Sequence, residues 1–241
     1  MDENDDYLVV DKPPFLLVHP SKPNHQLTLW GELRKLLAFE LANGGQVSIV
    51  NRLDRETSGL VLVAKNANAA REFGLLMQRQ AIAKEYLAIT WGWPAWDEQL
   101  VEASMTRQGA HAPSAIWLKQ AIHPAGAAAT THLHVERRFS KATSAGDKFS
   151  VIRAVPLTGR THQIRVHLAS IGHPIIGDKI YGPDEVHYLR FIENGWMPAL
   201  ERALLLPRHA LHSTKLAVAG VGEWQSELPE DLRDFVTAAR Q

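Results

Sequence analysis

The chain has 241 residues, 45% of them hydrophobic, so it can bury a sizeable core and is not an intrinsically disordered protein. Its 26 basic and 26 acidic residues balance, which argues mildly against a nucleic-acid binder because such proteins usually carry a basic excess. The absence of cysteine excludes disulfides, iron–sulfur clusters and thiol catalysis, and fits a reducing cytoplasm.

The N-terminus is strongly acidic. Four acidic residues lie within the first six positions, and we interpret residues 1–6 as a solvated tail. Residues 7–241 then carry four more basic than acidic side chains, and a local basic cleft could still attract a polyanion. No apolar run approaches the roughly 18 residues of a membrane helix, and the acidic N-terminus does not have the basic segment and apolar stretch that would predict a secretion signal. We therefore expect a cytoplasmic protein without a membrane span.

The first half of the chain mixes short strands with two amphipathic helices. One helix is predicted from a cap at Thr28 to Ala42, and another follows a cap at Asn66 or Asn68. The predicted strands cover residues 7–12, 46–50, 59–64 and 85–91. The strand over 59–64 is entirely apolar, which is typical of a strand covered on both faces.

The second half has a weaker pattern. Thr161 is the predicted cap of a short helix that Gly172 ends. The other predicted elements are a hairpin with a surface loop over 104–130, a strand over 149–156, a helical segment over 183–206 and a strand over 211–218. Strands and helices do not alternate regularly, which indicates an α+β fold, and we interpret residues 7–241 as one domain.

The most informative segment surrounds Asp54. Arg52 and Arg55 flank this carboxylate on a polar loop that leads into the buried strand, and Gly59 permits a tight start to that strand. A carboxylate between two cations can stay ionised and act as a nucleophile. The alternative is a turn aspartate that binds local backbone amides, which is the more common role of Asp in such loops.

A second polar segment covers residues 158–165. Gly159 allows a turn, and the free amides of the following helix start, together with Arg160 and Arg165, would bind a phosphate or a carboxylate. If that carboxylate is Asp54, Arg165 would keep it ionised. The alternative is a well-capped helix with solvated arginines.

The histidine pattern does not indicate a metal enzyme. His132 and His134 alternate on a possible strand, but none of the twelve histidines matches a zinc-protease motif or a zinc-ligand set. Phosphate-binding, dinucleotide-binding and serine-hydrolase motifs are also missing from the sequence. We expect chemistry that needs no cofactor and no metal.

The sequence RLDRETSGL at positions 52–60 closely resembles the signature of the RluA-type RNA pseudouridine synthases. Further segments agree in order and spacing: LVVDKP at 8–13, KEY at 84–86, LTGRTHQIRVH at 157–167, HPIIGD at 173–178 and RHALH at 208–212. The resemblance implies curved, mainly antiparallel sheets with flanking helices and a central catalytic cleft. It also implies isomerisation of a flipped-out uridine in RNA without a cofactor, by a monomer.

The resemblance also implies roles for individual residues. Asp54 would be the catalytic carboxylate, Tyr86 would stack on the target base and assist proton removal from carbon 5, and Arg165 would pair with Asp54. The RNA-facing cleft would be lined by Arg52, Arg55, Arg160, His162 and Gln163. Arg52 is the candidate to fill the space that the flipped base leaves.

Two departures from the family pattern affect substrate recognition. Asn51 stands where the family usually has His, which puts the local RNA contact in question. We expect a protein without the small N-terminal RNA-binding domain that some relatives carry, and therefore a compact target such as a stem-loop in tRNA or rRNA. The segments 104–130 and 183–206 are the expected sites of substrate selection.

Two other functions remain open on the sequence. The first is a catalytically silent RNA-binding protein with the same fold, which need not keep Asp54, Tyr86 and Arg165 together. The second is a carboxylate-dependent glycosidase that acts on small nucleosides or sugars. It would need a second acid, for which only Glu56 and Glu85 are close in sequence.

Overall fold

The computed structural model describes residues 2–20 and 27–237. These residues form twelve strands and seven α-helices, and the fold is α+β as the sequence predicts. The strands are β1 (Asp2–Glu3), β2 (Tyr7–Lys12), β3 (Ser48–Ile49), β4 (Ser58–Ala64), β5 (Ile82–Trp91), β6 (Glu98–Glu102), β7 (Met105–Arg107), β8 (Gln120–Ile122), β9 (Thr130–Ser140), β10 (Lys148–Pro156), β11 (Leu211–Val218) and β12 (Gly222–Gln225). The helices are α1 (Leu29–Leu36), α2 (Ala38–Ala42), α3 (Ala67–Gln78), α4 (Gln163–Ser170), α5 (Val186–Asn194), α6 (Pro198–Leu204) and α7 (Glu230–Thr237).

The chain divides into two compact units. The first contains the residues up to Lys84 together with His212–Glu227, and the second contains Glu85–Leu211 and the chain from Leu228 onwards. The sequence predicts one domain over residues 7–241, whereas the structure has two compact units. That these units form a single catalytic domain stays a prediction. None of the described helices has the length and apolar character needed to cross a membrane.

In the first unit, β4 lies between β2 and β11. β2 pairs with β4 antiparallel, whereas β11 runs parallel to β4. All seven residues of β4 are buried, as its apolar sequence predicts. Helix α3 begins after Asn66, whose side chain accepts a hydrogen bond from the Ala69 amide, and it buries Phe73 in the same core as Leu62. Complete burial of one such side chain contributes about 1.5–3 kcal/mol.

The acidic N-terminal segment is anchored, in contrast to the predicted solvated tail. β1 pairs with β2, and the Asp2 carboxylate accepts hydrogen bonds from Trp224 Nε1 at 2.7 Å and Tyr7 Oη at 3.1 Å. Glu3 forms an ion pair of 2.6 Å with Lys65. Residues 2–6 are exposed, but partners far away in sequence hold the segment, and this could not be read from its composition.

In the second unit, β5, β10, β9 and β6 are neighbours in that order, and each of these strands pairs antiparallel with the next. The predicted hairpin within 104–130 is confirmed as β7 paired with β8. The helical segment 183–206 consists of two helices, α5 and α6, which Gly195 separates at φ 70°. The sequence pattern did not predict α7 or β6.

Two helix boundaries differ in detail from the prediction. Thr28 caps α1 by accepting the Gly31 amide at 3.1 Å, as predicted, but the helix is interrupted at Leu37 before α2. The predicted cap at Thr161 is wrong: α4 begins at Gln163, and His162, in the left-handed region at φ 58°, occupies the cap position. Gly172 follows the end of α4 with φ 82°, in agreement with its predicted stop role.

We expect Gly59→Ala to lower the free energy of unfolding by about 3 kcal/mol or more, because Gly59 has φ 109° and an added Cβ would lie 2.7 Å from the Ser213 nitrogen and closer still to its carbonyl oxygen. The matched control is Gly74→Ala on the exposed face of α3, where nothing lies within 4 Å of the new Cβ. Alanine there should raise the free energy of unfolding by about 0.5–1 kcal/mol. Urea denaturation of both variants checks the contrast, and similar effects at the two sites would contradict it.

Candidate active site

The Asp54 loop is fixed at its start by Asn51. The Asn51 side chain is buried, donates a hydrogen bond to the Leu60 carbonyl at 3.1 Å and accepts one from the Leu62 amide at 2.8 Å. The residue that replaces the usual His therefore holds the loop against β4. Its inward orientation gives it a positioning role in this chain.

A buried lysine joins the same loop to the N-terminal segment. Lys12 is fully buried, and its ammonium donates to the carbonyls of Pro13, Leu16 and Arg55 at 2.8, 3.0 and 3.3 Å. Arg55 Nε returns a hydrogen bond of 3.3 Å to the Phe15 carbonyl. Since a buried ammonium is tolerated only when its donors are satisfied, these contacts define the path of the loop beside Asp54. Lys12 is therefore a positioning residue. The sequence pattern predicted only that it ends a strand and did not predict this role.

Asp54 itself is half-buried at the turn of this loop. Its backbone carbonyl accepts the Thr57 amide at 3.2 Å, so the turn that the alternative interpretation requires is also present. Arg52 and Arg55 are exposed on either side of it. Burial and then the positive charge of Arg52 lower the pKa of His19.

The far end of the loop is held by β11. Ser58 Oγ and His212 Nδ1 lie 3.0 Å apart in a buried hydrogen bond, where the first residue of β4 pairs with β11. His212 Nε2 lies 3.4 Å from the Ser226 carbonyl. His212 thus connects the start of β4 to the segment around Ser226.

The second polar segment is organised by Gln163, which is buried. Its Oε1 accepts from Thr158 Oγ1 at 2.8 Å and from the Arg160 amide at 2.9 Å. Its Nε2 donates to the Thr130 carbonyl and to Thr131 Oγ1, both at 2.9 Å. The amide is fully engaged within the chain, which favours a positioning role for Gln163 over the predicted RNA contact.

Arg160 and His162 lie at the edge of this segment. Arg160 is exposed, and its Nε donates to the Ala128 carbonyl at 3.0 Å. His162 is half-buried, and its Nδ1 is hydrogen-bonded to Tyr181 Oη at 2.7 Å. Tyr181 Oη also accepts the Gln120 amide at 2.8 Å, which connects α4 to the β7–β8 hairpin.

Arg165 makes a buried ion pair that the sequence did not predict. Its Nε and Nη2 donate to the two carboxylate oxygens of Asp178 at 2.7 and 2.9 Å, and its guanidinium lies 4.9 Å from the Tyr181 ring centre. Burial opposes ionisation of Asp178, but the charge and hydrogen bonds of Arg165 outweigh it and hold the pKa of Asp178 well below its usual value. The sequence does contain a signal for this pair. Asp178 lies between apolar residues at 175–176 and 180–181, which is typical of a buried carboxylate that needs a cationic partner.

The remaining predicted residues lie around the start of β5. Tyr86 is buried and stands opposite Ala154 of β10. Its neighbour Glu85 lies 3.8 Å from Arg153, and burial lowers the pKa of the half-buried Lys84. The first unit holds Asp54, Arg52 and Arg55, whereas the second holds Tyr86 and the residues of the 158–165 segment. Pairing of Arg165 with Asp54 stays a prediction.

Comparison with known proteins agrees with the resemblance of the motifs. The family model described as RNA pseudouridylate synthase matches residues 6–170. The chain belongs to this family, whose members are isomerases. Ribosomal large subunit pseudouridine synthase D of Nitrosomonas europaea is 34% identical over 99% of this chain, and that of Haemophilus ducreyi is 36% identical, also over 99%. The chain spans 64% and 69% of the length of these two relatives.

Solved structures support the fold assignment. Human RNA Pseudouridylate Synthase Domain Containing 4 matches 98% of the chain with a TM-score of 0.75 and 21% identity. Human RNA Pseudouridylate Synthase Domain Containing 1 matches 99% with a TM-score of 0.71 and 24% identity. The α+β fold predicted from the sequence is therefore confirmed as the pseudouridine synthase fold.

Asp178→Asn should lower the free energy of unfolding by about 3–5 kcal/mol, because it removes the buried negative charge that accepts two hydrogen bonds from the Arg165 guanidinium. The depressed pKa of Asp178 stabilises the fold above the usual aspartate pKa of about 3.9, and this contribution is lost as the pH falls below that value. Urea denaturation from pH 7 to pH 3 measures the free energy of unfolding of wild type and variant. The difference between these two free energies should become smaller only near pH 3.

The control for this variant is Asp97→Asn. Asp97 pairs with Arg138 at 2.8 Å, but its side chain is 83% exposed, so the change should cost at most about 1 kcal/mol. An equal loss in both variants would show that the Arg165–Asp178 pair is not a buried structural pair.

Proposed function

We propose that this protein converts specific uridines of structured large-subunit ribosomal RNA to pseudouridine, with Asp54 as the catalytic carboxylate. The observation that carries the proposal is the Asp54 loop: it has the family signature, and buried contacts of Asn51 and Lys12 position a half-buried carboxylate between two exposed arginines. The two relatives named above are ribosomal large subunit enzymes, which favours rRNA over tRNA as the substrate.

The proposed chemistry begins at the glycosidic bond. Its cleavage develops positive charge on the ribose, and the Asp54 carboxylate stabilises or captures that charge, as carboxylates do in retaining glycosidases. The freed uracil leaves with the bonding electron pair on N1 and turns so that carbon 5 faces the sugar. Carbon 5 then bonds to the anomeric carbon of the ribose, which releases the Asp54 carboxylate if it had bonded there. Carbon 5 loses its proton, and N1 gains one. Tyr86 stacks on the base and assists removal of that proton. Arg165 pairs with Asp54 during the reaction and keeps it ionised.

The target uridine must leave its stack before it can react. Extrusion of a base from structured RNA costs a few kcal/mol, which contacts between protein and RNA must offset. Exposed Arg52 occupies the space that the base leaves, and Arg55 and Arg160 contact phosphates. His162 faces the RNA from the start of α4, and Gln163 keeps Arg160 in place.

Substrate selection is assigned to two segments of the second unit, residues 104–130 and residues 183–206. In the 104–130 segment, the Arg107 guanidinium lies 3.7 Å from the ring centre of Trp117, which is 74% exposed. Such a stacked pair can accept an unpaired base. The helices α5 and α6 are the second candidate. A stem-loop that presents one splayed base fits these elements, and we expect a cytoplasmic monomer to act on it.

Asp54→Asn should abolish isomerisation and leave RNA affinity within about twofold, because the change removes a charge without removing side-chain volume. The measurement is tritium release from carbon-5-tritiated uridine in unmodified large-subunit rRNA, small-subunit rRNA and tRNA. Asp147→Asn, at an exposed loop aspartate, serves as the matched control and should retain full activity. Release by Asp54→Asn at the wild-type rate would refute the catalytic role. Turnover of free uridine would support the glycosidase alternative, and RNA binding without release from any pool would support the silent binder.

Arg52→Ala should weaken RNA binding with little effect on stability, because Arg52 is exposed and loses a phosphate or flipped-base contact. If it contacts a phosphate, the slope of log affinity against log salt concentration should become shallower by about 1. Arg71→Ala removes the same charge from the exposed face of α3 and should leave the slope unchanged. Filter binding at several salt concentrations measures both slopes. Identical plots of affinity against salt concentration for the two variants would show that Arg52 does not contact the RNA.

A further inference from the structure

A small cluster on the β6–β9 ladder has the composition of a metal site. Glu98 of β6 and His132 and His134 of β9 each offer one ligand atom, and the three atoms lie within 4.8 Å of one another. We propose that these three side chains bind a zinc ion on the surface of the second unit. The site is separate from the residues assigned to uridine isomerisation and does not depend on that function.

Strand register explains why the three side chains meet. Glu98 stands directly opposite His134, and His132 is opposite Leu100, two positions further along β6. Because side chains alternate between faces of a sheet, residues 132 and 134 share the face on which Glu98 lies. The backbone therefore brings the ligands together without any loop that must order on binding.

The distances suit zinc. Glu98 Oε1 lies 3.2 Å from His134 Nδ1, and Glu98 Oε2 lies 3.7 Å from His132 Nε2. Ligand atoms around a tetrahedral zinc ion stand about 3.3–3.5 Å apart, since its bonds to nitrogen and oxygen are about 2.0–2.2 Å long. The ligand nitrogens of His132 and His134 lie within 4.8 Å of each other, so a rotation of His132 that shortens this distance would complete the ligand triangle.

The donor set selects the kind of ion. Two imidazole nitrogens and one carboxylate suit zinc and similar transition metals, whereas magnesium and calcium prefer oxygen ligands. The Glu98 side chain is 66% exposed and that of His134 is 18% exposed, so water can reach a fourth ligand position from the side of Glu98.

The nearby charges do not exclude a cation. Arg153 of β10 is the cross-strand partner of His134 on its other side. However, its guanidinium is hydrogen-bonded to Glu136 at 2.6 Å and lies 3.8 Å from Glu85. These two carboxylates offset the arginine charge, and Glu98 supplies a further negative charge to the bound ion.

A bound ion would link β6 to β9 across the ladder. In the strand order of the second unit, β6 is the terminal strand after β9. Because the ligands converge only in the folded state, zinc binding should stabilise that state and tie down the end of the sheet. The proposed role is a structural clip, with no part in catalysis.

Protein freed of metal with EDTA and gel filtration should be titrated with zinc chloride at pH 7 in a calorimeter. We expect one zinc ion per chain. His134→Gln and Glu98→Gln should each weaken binding by about tenfold or more, since loss of even a supporting contact to a metal ligand costs about 10–100-fold. Magnesium chloride should give no binding. Zinc should raise the melting temperature of the wild type but not that of the two ligand variants.

The matched control is the double variant His111→Gln/His123→Gln. These rings are stacked with centres 3.7 Å apart and planes 16° apart, so their nitrogen lone pairs lie in nearly parallel planes and do not converge on one point. This variant should bind zinc as the wild type does. Absence of zinc binding by the wild type, or an equal loss in control and ligand variants, would overturn the proposal. Metal-free melting curves establish that the variants fold, and Glu98→Gln, at the more exposed ligand, carries the test if His134→Gln does not fold.

Discussion

The Asp54 loop depends on how closely β4 and β11 approach each other. Gly59 pairs with Ser213 in the parallel ladder, and an added Cβ at Gly59 would overlap the Ser213 backbone. Only glycine combines this contact with φ 109°. The glycine of the signature is thus required by packing, and the direction of the loop that carries Asp54 follows from it.

Buried polar groups hold in place the segments that carry the proposed site. Lys12 binds three carbonyls, Gln163 uses both ends of its amide, and Arg165 makes two hydrogen bonds to Asp178. Such networks are strong when every member is satisfied and costly when one member is lost. Each unit therefore carries its own internal scaffold, on which the side chains proposed to act on RNA are mounted.

Much of the fold could be predicted because its signals are local. The apolar run of β4, the Thr28 and Asn66 caps, the Gly172 stop and the hairpin in 104–130 agree with the structure. The errors have long-range causes. The acidic segment is held by Trp224 and Lys65, and α4 begins after a left-handed His162 whose ring binds Tyr181. Nothing in the neighbouring sequence reports such partners.

The sequence by itself determined the family, the α+β class and the residue types available for chemistry, because motif identity and hydrophobic periodicity are properties of adjacent positions. Tertiary structure decided what those residues contact. It gave Arg165 a buried partner in Asp178, turned Asn51 and Gln163 inward, and brought Glu98 beside His132 and His134. The physical reason is that strand register and buried hydrogen bonds join residues that are distant in sequence, and a single sequence carries no record of which ones meet.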